Sequence, residues 1–271
     1  MRFTQLAVFE VGVTCNRSEE HKDKCPCASR LNRLPGTVPM TDGMIIDTAC
    51  RLYADFGFNG MVAWHYYNEP LLEKERVFSL CEAILNKEPK AKFMLFTNGD
   101  FIMPEDVRLK LFTRIHVTNF SCREMSFIND LAPDITWRDV RLDDRMTPSG
   151  PANDARCRRM FNEIVFDFFG NCHICCVDWE LRVKPGSLFT DKLSDIVERF
   201  VAVRNTMAHR MLPDAPSFCQ TCWCRQANFA SLAPWVVEDT CQEFEDAMED
   251  FPSLKLKFTP SSLRVTRKFG L

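Results

Sequence analysis

The sequence predicts an α/β protein: a partial (β/α) barrel followed by a small unit made of a β-hairpin and a helix. Three observations carry this prediction. The first half alternates apolar strand signals with amphipathic helix signals. A polar, Pro- and Gly-containing stretch at residues 143–156 interrupts that alternation. Most of the remaining cysteines then crowd into the second half. The expected boundaries are 1–150 for the barrel and 151–271 for the appended unit.

Taken in order, residues 6–13 (LAVFEVGV) read as a strand. Residues 14–40 carry charge and turn formers and read as one long loop, the kind that is usually functional in a compact domain. Thr41 can cap a helix whose apolar positions Ile45, Ala49, Leu52, Tyr53 and Phe56 share a face, and Gly57 closes it. Residues 61–65 read as a strand, 73–87 as an amphipathic helix, 92–96 as a strand and 104–112 as a helix opened by Pro104. Residues 114–117 read as a strand, 121–131 as a helix and 135–142 as a strand. Repeated strand–helix units joined by short links imply parallel strands with helices outside them. Five units occupy about 145 residues, whereas a closed eight-unit barrel takes about 250, so the barrel is partial or the sheet open. Beyond the linker, apolar runs at 161–169 and 172–179 flank Gly170-Asn171, a hairpin signal. Residues 190–206 and 236–251 read as helices, the acidic run at 243–250 being a solvated face.

Composition narrows the function. The chain has 271 residues, 46% hydrophobic and 26% charged, with a net charge of −3. That profile is globular, and no excess of positive charge points to a nucleic-acid partner. No apolar run approaches the ~20 residues of a membrane helix, and the first residues lack a signal-peptide pattern. The expectation is a cytoplasmic protein without a membrane or nucleic-acid partner.

Fourteen cysteines are the unusual number. In a reducing compartment they point to metal or iron–sulfur ligation and not to disulfides. Cys15, Cys25 and Cys27 share the loop after the first strand. Three thiolates there can hold a [4Fe–4S] cluster and leave one iron open; a zinc site completed by His21 is the alternative. Cys157, Cys175, Cys219 and Cys222 supply four thiolates in the second half, enough for a closed cluster or a tetrahedral zinc. Cys172, Cys176 and Cys224 are neighbours that can substitute. Hairpin alternation sets Cys172 and Cys176 on the face opposite Cys175. Cys50 and Cys81 on helix faces, and Cys241, read as small buried hydrophobes.

These residues resemble a radical SAM enzyme with a C-terminal Twitch- or SPASM-type auxiliary iron–sulfur domain. The carriers are the strand ending Val13-Thr14-Cys15-Asn16, then Tyr67-Asn68-Glu69-Pro70-Leu71 after the second strand, then Thr97-Asn98-Gly99 after the third. The C-terminal carrier is Cys157…Gly170-x4-Cys175-Cys176-x-Asp178…Cys219-x2-Cys222. The resemblance covers about residues 5–225. It implies that Cys15, Cys25 and Cys27 hold the cluster that binds S-adenosylmethionine. It implies that Glu69 accepts from the methionine ammonium, with Tyr67, Asn68, Thr97, Asn98 and Asn119 as further cofactor contacts. Cys157, Cys175, Cys219 and Cys222 would hold one auxiliary [4Fe–4S] cluster.

Two departures stand out. The family's first motif is Cys-x3-Cys-x2-Cys, and here it is Cys15-x9-Cys25-x-Cys27. Tyr67-Asn68 replaces a double glycine. Arg141, on the fifth strand, is a candidate catalytic or substrate contact, or else the ion-pair partner of Asp139 or Asp143. His65, at the end of the second strand, either faces the substrate or serves as a structural histidine.

The function implied is reductive cleavage of S-adenosylmethionine to a 5′-deoxyadenosyl radical that abstracts a substrate hydrogen. One auxiliary cluster favours a two-electron oxidation, a dehydrogenation or a crosslink, of a small molecule or peptide. A low-potential flavodoxin or ferredoxin would supply electrons. The alternative is a non-catalytic zinc- or cluster-binding partner on a degenerate scaffold of the same kind.

Overall fold

The computed structural model describes residues 5–20, 38–131, 134–139, 163–175 and 183–208. They form an eight-stranded open sheet of order β5-β4-β3-β2-β1-β6-β7-β8. The strands are β1 (Leu6–Phe9), β2 (Met61–Ala63), β3 (Phe93–Thr97), β4 (Arg114–Asn119), β5 (Ile135–Asp139), β6 (Glu163–Phe166), β7 (Asn171–His173) and β8 (Gly186–Ser187). From β5 through β6 every pairing is parallel, and β6-β7-β8 is antiparallel. The sheet does not close, as the element count predicts.

Three helices cover one face: α1 (Asp42–Phe56), α2 (Lys74–Lys87) and α3 (Leu193–Ala208). Helix α1 starts where the sequence places it. Thr41 is the N-cap, its hydroxyl accepting from Met44 N, and Gly57 ends the helix at φ 61°. Strand parity decides which residues meet the helices. Ala7, Phe9, Trp64, Phe93, Leu95, Ile115, Val117, Ile164 and Phe166 pack with Ile45, Leu52, Val77, Ile84, Ile196 and Phe200. The opposite, concave face carries a smaller cluster of Leu6, Val8, Ala63, Met94 and Val165, closed above by Tyr66 and Tyr67.

Two expected helices are not α-helices. Residues 104–112 and 121–131 contain only 3-10 turns, Val107–Leu111 and Ser126–Asp130. Within these turns the buried apolar side chains are Leu109 and Ile128, and 3-10 geometry is used in such short pieces. The segment 70–73 is likewise a 3-10 turn, Pro70–Glu73, leading into α2. The hairpin is real, but its first strand pairs with β1 and so extends the central sheet. All four residues of β6 are buried, the pattern of a strand covered on both faces. Its turn is built on Asp167, whose carboxylate accepts from Phe169 N at 3.0 Å and Asn171 N at 2.9 Å, with Gly170 at φ 71°. The expected helix at 236–251 lies outside the described residues.

Gly99, just past β3, holds φ +80°, and an added Cβ would sit 2.6 Å from Val117 Cγ1. A left-handed backbone costs an ordinary residue about 1–2 kcal/mol before any clash. Gly99→Ala should therefore lower the thermal midpoint by roughly 2–8 °C, measured by circular dichroism.

Candidate active site at the strand C-termini

The site is built where β1, β2, β3 and β4 end. Glu69 organises it. Its backbone N–H donates to Thr14 O at 2.9 Å, joining the segment after β2 to the loop that carries Cys15. Its carboxylate accepts from Thr97 Oγ1 at 2.6 Å, Asn98 N at 2.7 Å and Leu71 N at 3.1 Å. Glu69 is 3% exposed. Burial pushes its carboxyl above the usual range, and the three donors offset only part of that rise. A carboxylate offers about four acceptor sites; these three donors use three. A cation arriving at the fourth would relieve the burial penalty, which suits an ammonium group.

The other sequence candidates are held by residues of the surrounding loops and turns. Thr97 Oγ1 also accepts from Gly99 N at 3.0 Å. Asn98 Nδ2 donates to Asn16 Oδ1 at 2.6 Å, and its Oδ1 accepts from Asp100 N at 2.9 Å. Asn68 Oδ1 accepts from Tyr66 N and its Nδ2 donates to Trp64 O, folding the 64–68 turn on itself. Asn119 Nδ2 donates to Arg123 O at 2.8 Å. The Tyr67 ring lies 3.9 Å from that of Tyr66. Cys15 is half-buried in the loop after β1, and its carbonyl accepts from Ser18 N. Cys175 is buried just after β7. Arg141, Cys25, Cys27, Cys157, Cys219 and Cys222 lie outside the described residues, as do Cys176 and His21. Among the described residues no three metal-binding side chains come together.

Cys172 and Cys175 belong to one packed cluster, because strand alternation stops at His173. Burial raises the Cys172 thiol well above its usual range, as it does that of Cys81.

Three interactions at this edge lay beyond sequence reasoning. Arg17 forms a two-pronged pair with Asp100, Nε to Oδ2 at 2.7 Å and Nη2 to Oδ1 at 2.8 Å. Asn16 Nδ2 and Ser121 Oγ donate to the same carboxylate at 2.8 and 2.9 Å. Burial acts to raise Asp100, but these donors outweigh it and hold the carboxyl down at about 2. The partners are 83 residues apart, so no local pattern reveals them. Glu10, 1% exposed, accepts from Tyr67 N and Phe168 N, both at 2.9 Å. Its only sequence signal is a lone charge in an apolar strand. Tyr66 Oη, His173 and Asp167 form a buried chain: Oη to Nδ1 is 2.9 Å and Nε2 to Asp167 Oδ2 is 3.0 Å. Burial tends to raise Asp167, and the bonds from His173 and Asn171 overcome it and keep the carboxyl low.

Comparisons with known proteins bear on the family and the fold. Residues 157–223 match the SPASM family, an iron–sulfur cluster-binding domain. The S-adenosyl-L-methionine-dependent 2-deoxy-scyllo-inosamine dehydrogenase of Niallia circulans is 25% identical over 248 residues, 81% of this chain and 92% of that protein. The crystal structure of BtrN in complex with AdoMet and 2-DOIA superposes with a TM-score of 0.58 at 21% identity, covering 77% of this chain and 89% of that one. An open conformation of BtrN gives 0.59 at 18% identity, covering 82% and 92%. These two likenesses establish the shared fold.

Two outcomes follow from the geometry. Asp100 is depressed below its unfolded value, so its stabilisation is present above pH ~3.8 and is lost as pH falls towards 2. Urea midpoints measured from pH 5 to pH 2 should fall more steeply for the wild type than for Asp100→Asn. Tyr66→Phe removes a hydroxyl bonded to an imidazole that is 0% exposed. It should cost about 1–3 kcal/mol, read as a lower urea midpoint at unchanged slope.

Proposed function

Since the chain belongs to the radical SAM enzymes that carry a SPASM-type iron–sulfur domain, we propose that it dehydrogenates a hydroxyl-bearing carbon of a small molecule. Radical oxidation with an auxiliary cluster is the established part; the alcohol substrate and the residue roles are the proposal. The observation that carries it is the junction at Glu69, which ties the Cys15 loop to the ends of β2 and β3 through one buried carboxylate.

In this reading Cys15, Cys25 and Cys27 hold the cluster that binds S-adenosylmethionine, and Cys157, Cys175, Cys219 and Cys222 hold the auxiliary one. When bound, these groups would supply abstraction of a carbon-bound hydrogen atom and acceptance of the electron left behind, which with release of the hydroxyl proton to water turn an alcohol into a carbonyl. The chain's own residues do the positioning. Glu69 accepts from the methionine ammonium, a charge-assisted bond that compensates its burial. Tyr67 and Asn68 shape the turn beside it, and their bulk in place of small residues narrows the space there. Thr97 and Asn98 keep the carboxylate oriented, and Asn119 fixes the loop after β4. Arg141 would meet the substrate or cofactor from the fifth strand. Trp64, Phe9 and Phe93 seal the helix side of the sheet against water. A low-potential flavodoxin or ferredoxin would be the electron donor. The 2-deoxy-scyllo-inosamine of the relative supports a small hydroxylated substrate. A division near residue 150 would separate the barrel from the auxiliary unit, with the hairpin belonging to both.

Anaerobic reduction of the reconstituted protein with S-adenosylmethionine should yield 5′-deoxyadenosine. Cys25→Ala should abolish it, and Glu69→Gln should lower it by tenfold or more, since a bond to a charged group contributes about 1.5–3 kcal/mol. Cys175→Ala and Cys219→Ala should lose the oxidised product. Zinc without labile sulfide, and no 5′-deoxyadenosine, would instead identify a non-catalytic partner protein.

A further inference from the structure

On the concave face, three rings cross three adjacent elements in a row. His65, just past β2, lies 4.2 Å from the Phe96 ring of β3. Phe96 lies 5.6 Å from the His116 ring of β4. His116 Nδ1 is 2.9 Å from Thr136 Oγ1 of β5. Register confirms one shared face, because Phe96 pairs with His116 and His116 with Thr136. Their chain neighbours Trp64, Leu95 and Val117, which point to the helices, are fully buried. The three rings are only half-buried and Thr136 is exposed.

The height of this strip is informative. Phe96 stands two residues before Asn98, about 7 Å below the rim of the candidate cofactor site. Beneath the strip the same face is aliphatic over β1 and β3, with Leu6, Val8 and Met94, while β4 carries Arg114 opposite Met94 and β6 carries Glu163 beside Val165. Polar rings at this level are costly on a core face unless they meet polar groups. The strip is therefore a mixed aromatic and polar rung directly below the polar rim. A ligand reacting below the rim would rest on it.

We infer that His65, Phe96, His116 and Thr136 form the substrate platform and select a saturated, hydroxylated six-membered ring. This inference rests on the oxidation proposed above. The face of Phe96 suits the C–H face of such a ring. The imidazoles and the Thr136 hydroxyl suit its rim of hydroxyl groups, each of which donates and accepts. The bond between His116 and Thr136 fixes the imidazole plane, so the platform is preorganised. A peptide side chain would use the ring of Phe96 but leave the polar rim unmatched.

The test is equilibrium binding, which does not depend on turnover. Cluster-loaded full-length protein with S-adenosylmethionine is titrated calorimetrically with 2-deoxy-scyllo-inosamine and with myo-inositol. At least one cyclitol should bind saturably. His116→Phe and Phe96→Leu should each weaken it about tenfold or more. His116→Gln should restore much of the loss, and Thr136→Val, at an exposed position, should weaken binding several-fold with iron content unchanged. Equal affinity in the wild type, His116→Phe and Thr136→Val would overturn the platform. Absence of cyclitol binding in a protein that still forms 5′-deoxyadenosine would overturn the substrate class and leave the oxidation standing. Cyclitol binding without 5′-deoxyadenosine would uphold the platform and remove the proposed reaction.

Discussion

Buried carboxylates at the strand ends are the constraint on which the rest of this edge depends. A parallel sheet leaves each strand to finish in a separate loop, and nothing in the ladder itself relates those loops. Glu69 does so for β1, β2 and β3: three donors converge on its carboxylate, and its own N–H reaches the loop after β1. Glu10 does the same for β1, β2 and β6, through Tyr67 N and Phe168 N. Each carboxylate is desolvated, and each holds main-chain N–H groups that would otherwise lack partners at a buried edge. Removing either would leave several donors unsatisfied at once. These two residues are therefore structural before they are chemical.

How legible this was depended on how local the cause was. The alternation of the first half comes from side-chain periods of 3.6 and 2, so β1 to β5, α1 and α2 could be read from their own residues. Thr41 and Gly57 could be read as caps for the same reason. The 3-10 turns at 107–111 and 126–130 were misjudged because local pattern does not say how much sheet a segment can cover. The placement of Glu69 and Asn98 after strands followed from the strand assignments, whereas Asn119 is the last residue of a β4 longer than expected. Their actual hydrogen bonds did not, because partners such as Thr97, Asn98 N and Asn16 are brought together only by tertiary packing. The chain of Tyr66, His173 and Asp167 spans 107 residues between its first two members and carried no sequence signal beyond three separate polar residues.

The two faces of the sheet divide the labour. The helix side is closed and apolar, with Trp64, Phe93 and Phe166 among its largest fully buried side chains. The concave side grades from a mostly aliphatic lower face, which also carries Arg114 and Glu163, through the ring strip to the carboxamides and carboxylates of the rim. Such a gradient keeps water out below while presenting fixed dipoles above, the arrangement that reactive chemistry requires. Antiparallel strand β7 adds His173 to the same face, since it pairs with Val165 of β6. Through Tyr66 it bonds to the turn that carries Glu69, and the Tyr66 hydroxyl also donates to Cys175 O at 3.4 Å. Residues 163–175, within the SPASM match, are thus tied to the barrel through a sheet and a hydrogen-bonded chain.

The long spacing between Cys15 and Cys25 can be weighed on the same footing. Lengthening a flexible loop is cheap, about 0.6 kcal/mol for each doubling. What a longer loop loses is orientation at its ends, and at the Cys15 end the structure supplies it independently. Thr14 is held by Glu69, Asn16 by Asn98 and Asp100, and Arg17 by Asp100 and Ser121. Cys15 therefore sits between anchored residues whatever the length that follows. The two-pronged pair of Arg17 and Asp100 is the strongest of these anchors, since it is charged, planar and only partly exposed. An insertion placed after such an anchor lengthens the loop without loosening the position of Cys15.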